Sequence, residues 1–219
     1  MIRRIAPVPP RTAPAGAADP AAPRNLPMWD DRQLLAALAA SDPRAGGALY
    51  DRLIRIVEWT ILRIMGQRSA EHDDLVQGAF EQIVISLHRQ RYAQRCSLTS
   101  WASAVSCHVA LNALRSRKRL RALQLDHAPR EVDARDPSDL ESQLAARQAL
   151  ARVRAELGRM NPERAQVLLL HEVNGLELAE IAAALGISVM AAQSRLSRGR
   201  RELRARLGEG DAQGGEADD

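Results

Sequence analysis

The residues of this sequence best suited to bind another molecule are its arginines. Lys and Arg number 31 against 27 Asp and Glu, the formal net charge is +4, and Lys118 is the single lysine. The basic residues concentrate in two stretches, 115–121 and 195–206. Because guanidinium groups bind phosphate oxygens through two parallel hydrogen bonds, these stretches favour a polyanionic partner, either nucleic acid or a membrane surface. A GC-rich genome would also raise the arginine content, so the positions of the clusters must decide.

Side chains that catalyse reactions or hold metals form no recognisable motif. The five histidines are scattered, without the His-Glu-x-x-His spacing of zinc hydrolases, and no glycine-rich phosphate loop or nucleophile motif is present. Cys96 and Cys107 are expected to be reduced structural thiols, with metal binding or redox sensing as the alternative. His108 adjoins Cys107, but neighbouring helical residues point about 100° apart and are poorly placed to share a metal. We therefore expect no enzyme activity, no cofactor and no metal site.

The elements that carry these residues are predicted to be helices. Aromatic residues make up 3% of the chain, and Ala, Leu, Arg and Glu, which favour helices, dominate it. The expected fold class is all-α, with two small helical domains joined by a flexible linker, the C-terminal one a four-helix domain that contains a helix-turn-helix. No apolar run approaches the roughly 20 residues of a membrane span, and no leader-like segment follows Arg3 and Arg4. We expect a cytoplasmic protein without membrane insertion.

Composition predicts where the domains lie. Pro and Ala dominate the N-terminal segment, and glycines and acids dominate the C-terminal one, so both ends should be disordered. Pro129, Pro137 and several acids interrupt the apolar periodicity between the domains, as is typical of a linker. From the N-terminus, we predict a disordered extension at 1–27 and a first helical domain at 28–122. A linker follows at 123–139, then a helix-turn-helix domain at 140–207 and a disordered acidic tail at 208–219.

Capping residues and apolar stripes predict the helices themselves. In the first domain, capping residues near 30, 41, 69 and 97 begin helices that end near residues 40, 65, 89 and 123. In the second domain, helices are predicted over about 138–157, 161–173, 177–185 and 188–207. Ser69 is expected to cap the third helix of the chain. Gly158 is expected in the left-handed conformation that ends the first helix of the second domain.

Residues 179–201 carry the sharpest local pattern. Ala182 is small enough for two helices to cross closely, Gly186 permits a tight left-handed turn, and Ser188 can cap the next helix. Ile187 is expected to fill the angle between the two helices. In the second helix, the side chains expected to face inward are Val189, Ala192, Leu196 and Gly199. The pattern is typical of a helix-turn-helix, whose second helix enters a DNA major groove, and a plain helical hairpin is the alternative.

Both domains, taken in order, resemble one known family. Three motifs resemble the promoter-melting domain of extracytoplasmic-function sigma factors: Asp73-Asp74-Leu75-Val76-Gln77-Gly78-Ala79-Phe80, Leu98-Thr99-Ser100-Trp101 and Val109-Ala110-Leu111-Asn112-Ala113-Leu114-Arg115. Residues 157–207 resemble their second DNA-reading domain through the turn described above and three further motifs: Pro162-Glu163-Arg164, Gly175-Leu176 and Ser194-Arg195-Leu196-Ser197-Arg198-Gly199-Arg200. The resemblance covers about residues 30–207. It implies a sigma factor that binds core RNA polymerase and directs promoter recognition, promoter melting and transcription initiation.

The resemblance also assigns roles to particular side chains. Core polymerase is expected to bind Asp73, Asp74 and Gln77, although the two acids could instead serve only to stabilise their helix N-terminus. The minus-ten element is expected to contact His108, Asn112, Arg115 and Arg119, although the cations of that cluster also suit a helix C-terminus. The minus-thirty-five element is expected to contact Gln193, Ser194, Arg195, Ser197 and Arg198. Helical spacing independently places positions 194, 197, 198 and 201 on one outward face.

The family implies three partners: core RNA polymerase, promoter DNA and an anti-sigma factor. The alternative function is a helix-turn-helix repressor or activator that acts without core polymerase, and such a regulator would usually dimerise on a palindromic duplex. Trp101 is expected to belong to the core rather than to form a base-stacking platform.

Overall fold

The fold is helical throughout the part of the chain that the structure describes. The computed structural model describes the backbone of residues 29–123 and 137–213 and the side chains of 29–117 and 144–208. The all-α prediction is confirmed. In chain order the eight helices of these ranges are α1 (Asp31–Ala39), α2 (Ala45–Met65), α3 (His72–His88), α4 (Leu98–Leu123), α5 (Pro137–Leu157), α6 (Pro162–Glu172), α7 (Leu178–Leu185) and α8 (Val189–Gln213).

Two helices extend into segments that the sequence assigned to the linker and the tail. α5 begins at Pro137, inside the predicted linker, because proline at the first helical position has a suitable φ and its missing N–H is not needed there. α8 continues to Gln213, inside the predicted acidic tail, since no glycine pair interrupts the helix before that point. The predicted extension and the remaining residues of the linker and the tail lie outside the described residues.

Local capping confirms the predicted helix starts at Asp30, Ser97 and Asn161 and contradicts two others: α2 begins only at Ala45, after Arg44 rather than at Ser41, and Ser69 fails as a cap. Asp30 Oδ1 accepts a 2.7 Å hydrogen bond from Gln33 N–H, and Gln33 Oε1 accepts one of 3.0 Å from Asp30 N–H, which completes a capping box. Asn161 Oδ1 accepts from the backbone N–H groups of residues 163 and 164. Ser69 does not cap α3. The N-cap is Glu71, because the Ser69 hydroxyl instead accepts a 3.1 Å hydrogen bond from Arg117.

Gly158 is not in the left-handed conformation, so that prediction was wrong. Its N–H donates to Arg154 O at 3.1 Å, and the described glycines with positive φ are Gly66, Gly175 and Gly186. A Cβ at Gly158 would lie 3.4 Å from Leu114 O of α4. That distance is an ordinary van der Waals contact, so neither a turn nor a steric limit requires glycine at this position.

α4 is the central helix of the molecule. It packs against α2 and α3 on one side and against α6 and α7 on the other. From Ser100 to Leu111 nearly every side chain is buried, and Trp101 is 7% exposed, which confirms its predicted place in the core. Many of the buried side chains are small, which lets neighbouring helices approach the α4 backbone: Ala102, Ser103, Ala104, Ser106, Cys107 and Ala110.

The two domains also meet through hydrogen bonds. Gln166 Nε2 donates to Ala104 O at 2.9 Å, and Asn174 Nδ2 donates to Thr60 Oγ1 at 2.7 Å. Arg154 Nε donates to the carbonyl at the end of α2, Ile64 O, at 3.1 Å. Buried apolar residues from both domains belong to one continuous cluster. The sequence predicted two small domains, and the structure adds that they share a packed interface.

A glycine contact between α6 and α8 gives a direct test of this packing. A Cβ at Gly199 would lie 3.1 Å from Arg164 O, so Gly199→Val is expected to destabilise the full chain by about 1–3 kcal/mol through overpacking. Gly208→Val on the same helix is the matched control, because no atom lies within 4 Å of its added Cβ. Urea denaturation followed by circular dichroism measures both. Equal midpoints for the two variants would contradict the close contact.

Candidate nucleic-acid interface

The turn between α7 and α8 has the geometry that the sequence predicted. Gly186 is left-handed, with φ +68°, and its N–H bonds to Ala182 O. Ile187 N–H donates to the same carbonyl at 3.0 Å, and Ser188 Oγ accepts a 3.1 Å hydrogen bond from Ala191 N–H. Ala182 is buried against the neighbouring helix. These contacts confirm the predicted turn and N-cap and make α8 the second helix of a helix-turn-helix.

α8 has an inner face and an outer face, with one correction to the sequence analysis. Ala192 and Leu196 are buried and Gly199 packs against α6, as predicted. Val189, predicted to face inward, is 49% exposed. Side chains tilt toward the N-terminus of their helix, so the Cβ of the first helical residue projects past the end of the packed region. The N-terminal tip of α8 is thus apolar and exposed.

The polar residues predicted to contact the minus-thirty-five element lie on the outer face of α8. Gln193, Ser197 and Arg198 are exposed, and Ser194 is partly exposed. They stand within about the first three turns of α8, toward the helix N-terminus, which is the part of a recognition helix that reaches base edges. The structure brings these four side chains to one surface. Arg195 lies toward the side of that surface, where Nη2 is 2.8 Å from Glu163 Oε2.

Ion pairs divide the arginines of α8 into two groups. Arg195 pairs with Glu163, Arg200 with Glu172 at 2.5 Å, and Arg206 with Glu202 at 3.3 Å. Three other arginines of the helix are exposed and make no hydrogen bond or ion pair with any described residue: Arg198, Arg201 and Arg204. Only the pair within α8, Arg206 with Glu202 one turn before it, could be read from the sequence, because the acids that hold Arg195 and Arg200 lie on α6.

A second polar surface lies on the exposed side of α4. Asn112 Nδ2 is 2.9 Å from His108 Nε2, and Arg115 Nη1 donates to Asn112 Oδ1 at 3.3 Å. Arg115 Nη2 is buried and has no hydrogen-bond partner among the described residues. The structure therefore joins three of the four predicted minus-ten residues in one chain of hydrogen bonds. The side chain of Arg119 lies outside the described residues.

Not all of the basic cluster at the end of α4 is available to a ligand. Arg117 Nη2 lies 2.8 Å from Glu71 Oε2 and donates to Ser69 Oγ at 3.1 Å. This guanidinium therefore connects α4 to the start of α3. The sequence analysis grouped Arg117 with its basic neighbours. It did not predict the ion pair with Glu71, because that residue lies 46 positions away along the chain.

The third predicted surface lies on α3. Asp73 and Asp74 are exposed in its first turn, and Gln77, also exposed, donates to Glu81 Oε1 at 3.0 Å. Val76 and Ala79 on the opposite side are buried in the core. The three predicted polymerase-binding side chains therefore share an outward face. Beside them, α1, α2 and α3 enclose an open groove of about 1290 Å³ lined by both polar and apolar residues, which sequence reasoning missed.

Comparison with known proteins agrees with this arrangement. The family model described as Sigma-70 region 2 matches residues 49–120, and the model described as Sigma-70, region 4 matches residues 150–203. RNA polymerase sigma factor CnrH of Cupriavidus metallidurans is 31% identical over 187 residues, which cover 81% of this chain and 94% of CnrH. The chain belongs to the extracytoplasmic-function group of RNA polymerase sigma factors.

A second relative and a solved structure are also similar to this sigma factor. ECF RNA polymerase sigma factor SigE of Mycolicibacterium smegmatis is 29% identical over 75% of this chain, and the match spans 64% of SigE. The solved structure of CnrH in complex with the cytosolic domain of CnrY aligns with a TM-score of 0.49 at 26% identity, covering 82% of this chain and 97% of that one. Sigma factors direct transcription initiation and are not enzymes, so the alternative of a regulator acting without polymerase is not favoured.

The two thiols of the sigma factor differ in burial. Cys107 is fully buried at the domain interface, with Sγ 4.0 Å from Gln166 O, and burial raises the pKa of its thiol. Cys96 is partly exposed, and burial, followed by the charges of Glu180 and Asp31, raises the pKa of its thiol as well. Both are free thiols, and neither environment favours the thiolate that reacts with oxidants or metals. No helix of the described residues is long and apolar enough to cross a bilayer.

Thiol labelling tests the burial of Cys107. In a Cys96→Ser variant, native protein is expected to react with a maleimide far more slowly than urea-unfolded protein, because the remaining thiol is buried and mostly protonated. A Cys107→Ser variant, which leaves Cys96, should label at an intermediate rate. Mass spectrometry measures both time courses. Rapid labelling of the native Cys96→Ser variant would contradict the packed interface between α4 and α6.

Proposed function

We propose that this sigma factor reads the upstream promoter element with α8, holds the minus-ten strand on α4 and binds core RNA polymerase through α3. The observation that carries the proposal is the outer face of α8. It presents polar side chains at the tip of a helix-turn-helix, beside three arginines that make no ion pair with the described residues. Polar side chains can read bases while free cations bind phosphates.

Each side chain of α8 has a chemical role in this proposal. The Gln193 amide matches the paired donor and acceptor of adenine, and the Arg198 guanidinium matches the two acceptors of guanine. Ser194 and Ser197 are short enough to let the helix approach the groove. Arg195 is held by Glu163, so it contributes by exchanging that carboxylate for a DNA phosphate. Because an exposed ion pair contributes only about 0–1 kcal/mol, breaking it costs little free energy compared with a new phosphate contact.

The minus-ten contacts rest on the hydrogen-bonded surface of α4. His108 and Asn112 offer donors and acceptors to an unstacked base, and the partly exposed guanidinium of Arg115 supplies a nearby cation. Arg119, one turn further along the helix, is proposed to extend this cationic surface. Single-stranded DNA binding needs such a combination of base contacts and positive charge.

Protein partners are proposed for the surface around α3. The exposed carboxylates of Asp73 and Asp74, with Gln77, form the proposed contact with core polymerase. The CnrH relative was solved in complex with the cytosolic domain of CnrY, and we propose an anti-sigma factor as a partner of this chain too. The groove beside Gln77 gives such a protein a surface to occupy. The sigma factor is proposed to act in the cytoplasm, without a cofactor and without catalysing a reaction.

The polymerase-binding face can be tested at one carboxylate. Asp74→Ala is expected to weaken binding of the full chain to core polymerase by about 2–5 kcal/mol, provided that the charged contact is desolvated in the complex. Asp51→Ala, which removes an exposed carboxylate from α2, is the matched control and should bind normally. Titration of labelled core enzyme measures both affinities. Equal affinity of Asp74→Ala and the unmodified chain would count against this face.

The proposed roles of the α8 arginines, base recognition by Arg198 and phosphate binding by Arg204, predict different effects when each is replaced by alanine. Arg198→Ala should remove about 1–3 kcal/mol of discrimination at one base pair, as expected for a bidentate base contact. Arg204→Ala should weaken binding to matched and altered promoters alike and reduce the salt dependence by about one phosphate contact. Holoenzyme binding is measured against matched and single-base-altered upstream elements at several salt concentrations. A uniform loss for Arg198→Ala would show that the reading face is misplaced.

A further inference from the structure

The most exposed large apolar side chain of the described residues is Met190. It is 84% exposed, whereas the next, Leu150 on α5, is 52% exposed. Met190 lies in the first turn of α8, directly after Val189, which is 49% exposed. Together the two side chains form an exposed apolar tip at the start of the recognition helix.

The position of Met190 on the helix matters more than its exposure. Residues at i, i+4, i+7 and i+11 share one helix face, so Met190 stands in line with Ser194, Ser197 and Arg201. Its side chain tilts toward the helix N-terminus and therefore leads the polar stripe. In a helix-turn-helix complex the N-terminal residues of the recognition helix contact base edges. Met190 thus occupies the position that would meet the floor of the groove first.

We propose that Met190 is a specificity-determining residue of the upstream element, which recognises a thymine through its C5-methyl group. The inference rests on the proposed function, since it requires α8 to enter the major groove. Thymine alone presents an apolar group there, and apolar side chains are the ones that contact it. Methionine suits the contact because its unbranched chain is long and adapts to the surface it meets.

Charge complementarity favours DNA over a protein as the occupant of this tip. The stripe that begins at Met190 continues through Arg201, and Arg198 and Arg204 stand beside it, all exposed and without ion pairs among the described residues. Acids close to α8, Glu163 and Glu172, are already paired with other arginines. An apolar tip that leads a cationic stripe complements a thymine methyl flanked by phosphates better than it complements an apolar protein groove.

The first experiment finds the base that Met190 contacts. Holoenzyme assembled from core polymerase and the full chain selects promoters from a duplex library whose upstream element is randomised. The unmodified chain is expected to enrich thymine at one position, and Met190→Ala should lose that enrichment while keeping the preferences set by Gln193 and Arg198. Met190→Leu, which keeps an apolar side chain of similar size, should retain it.

The second experiment isolates the methyl group. Each thymine of the selected element is replaced in turn by deoxyuridine, which lacks only the methyl. At one position the replacement should weaken binding of the unmodified chain about four-fold, which corresponds to about 0.8 kcal/mol for a buried carbon group. Met190→Ala should bind the two duplexes equally. Leu150→Ala, which removes an exposed apolar side chain of α5, is the matched control and should keep the four-fold difference.

The outcomes separate this inference from the function on which it rests. One outcome is that the holoenzyme selects an upstream element but that no thymine in it shows a methyl effect that depends on Met190. That result would overturn the inference and leave the proposed role of α8 unaffected. Selection of no upstream sequence at all would overturn the proposed function and this inference with it. Weaker binding of Met190→Ala to core polymerase, with unchanged thymine preference, would identify a protein contact and also overturn the inference.

Discussion

The burial of α4 between the two domains is the constraint on which the rest of the structure depends. A helix satisfies its backbone hydrogen bonds internally, so it can be packed on all sides if its side chains are small. Ala102, Ala104 and Ala110 meet that condition, and Gln166 covers one carbonyl of the helix from the second domain. His108 is the exposed residue between Ser100 and Leu111 of α4, and the packing of its neighbours fixes the side of the helix from which it projects. The packing of the core thereby orients the proposed minus-ten surface.

Ion pairs at the surface have a different consequence, because they determine which cations are free rather than how stable the fold is. Arg117, Arg195 and Arg200 are each held by a carboxylate from a distant segment of the chain. Exposed pairs of this kind contribute little to the free energy of unfolding. They do fix the resting positions of the guanidinium groups, and they lower the positive charge that DNA meets first. A count of arginines therefore overstates the cationic surface of α8.

The apolar tip of α8 combines both effects. Ala192 and Leu196 anchor the helix, and the tilt of side chains toward the N-terminus carries Val189 and Met190 beyond that anchor. The free arginines follow further along the same helix. The result is a graded surface, apolar at its tip, then polar, then cationic, which corresponds to the order of methyl groups, base edges and phosphates met by a helix that enters a groove tip first.

The sequence by itself determined what depends on local chemistry. The left-handed turn at Gly186, the Asp30 and Asn161 caps and the all-α class follow from interactions within a few residues, and the inward face of α8 followed from its periodicity except at Val189. Only the tertiary structure decided what depends on neighbours distant along the chain. The Ser69 hydroxyl bonds to Arg117 instead of capping α3, and two of the three paired arginines of α8, Arg195 and Arg200, are held by acids on α6. Local propensity contains no information about such partners, since they become neighbours only when the helices pack.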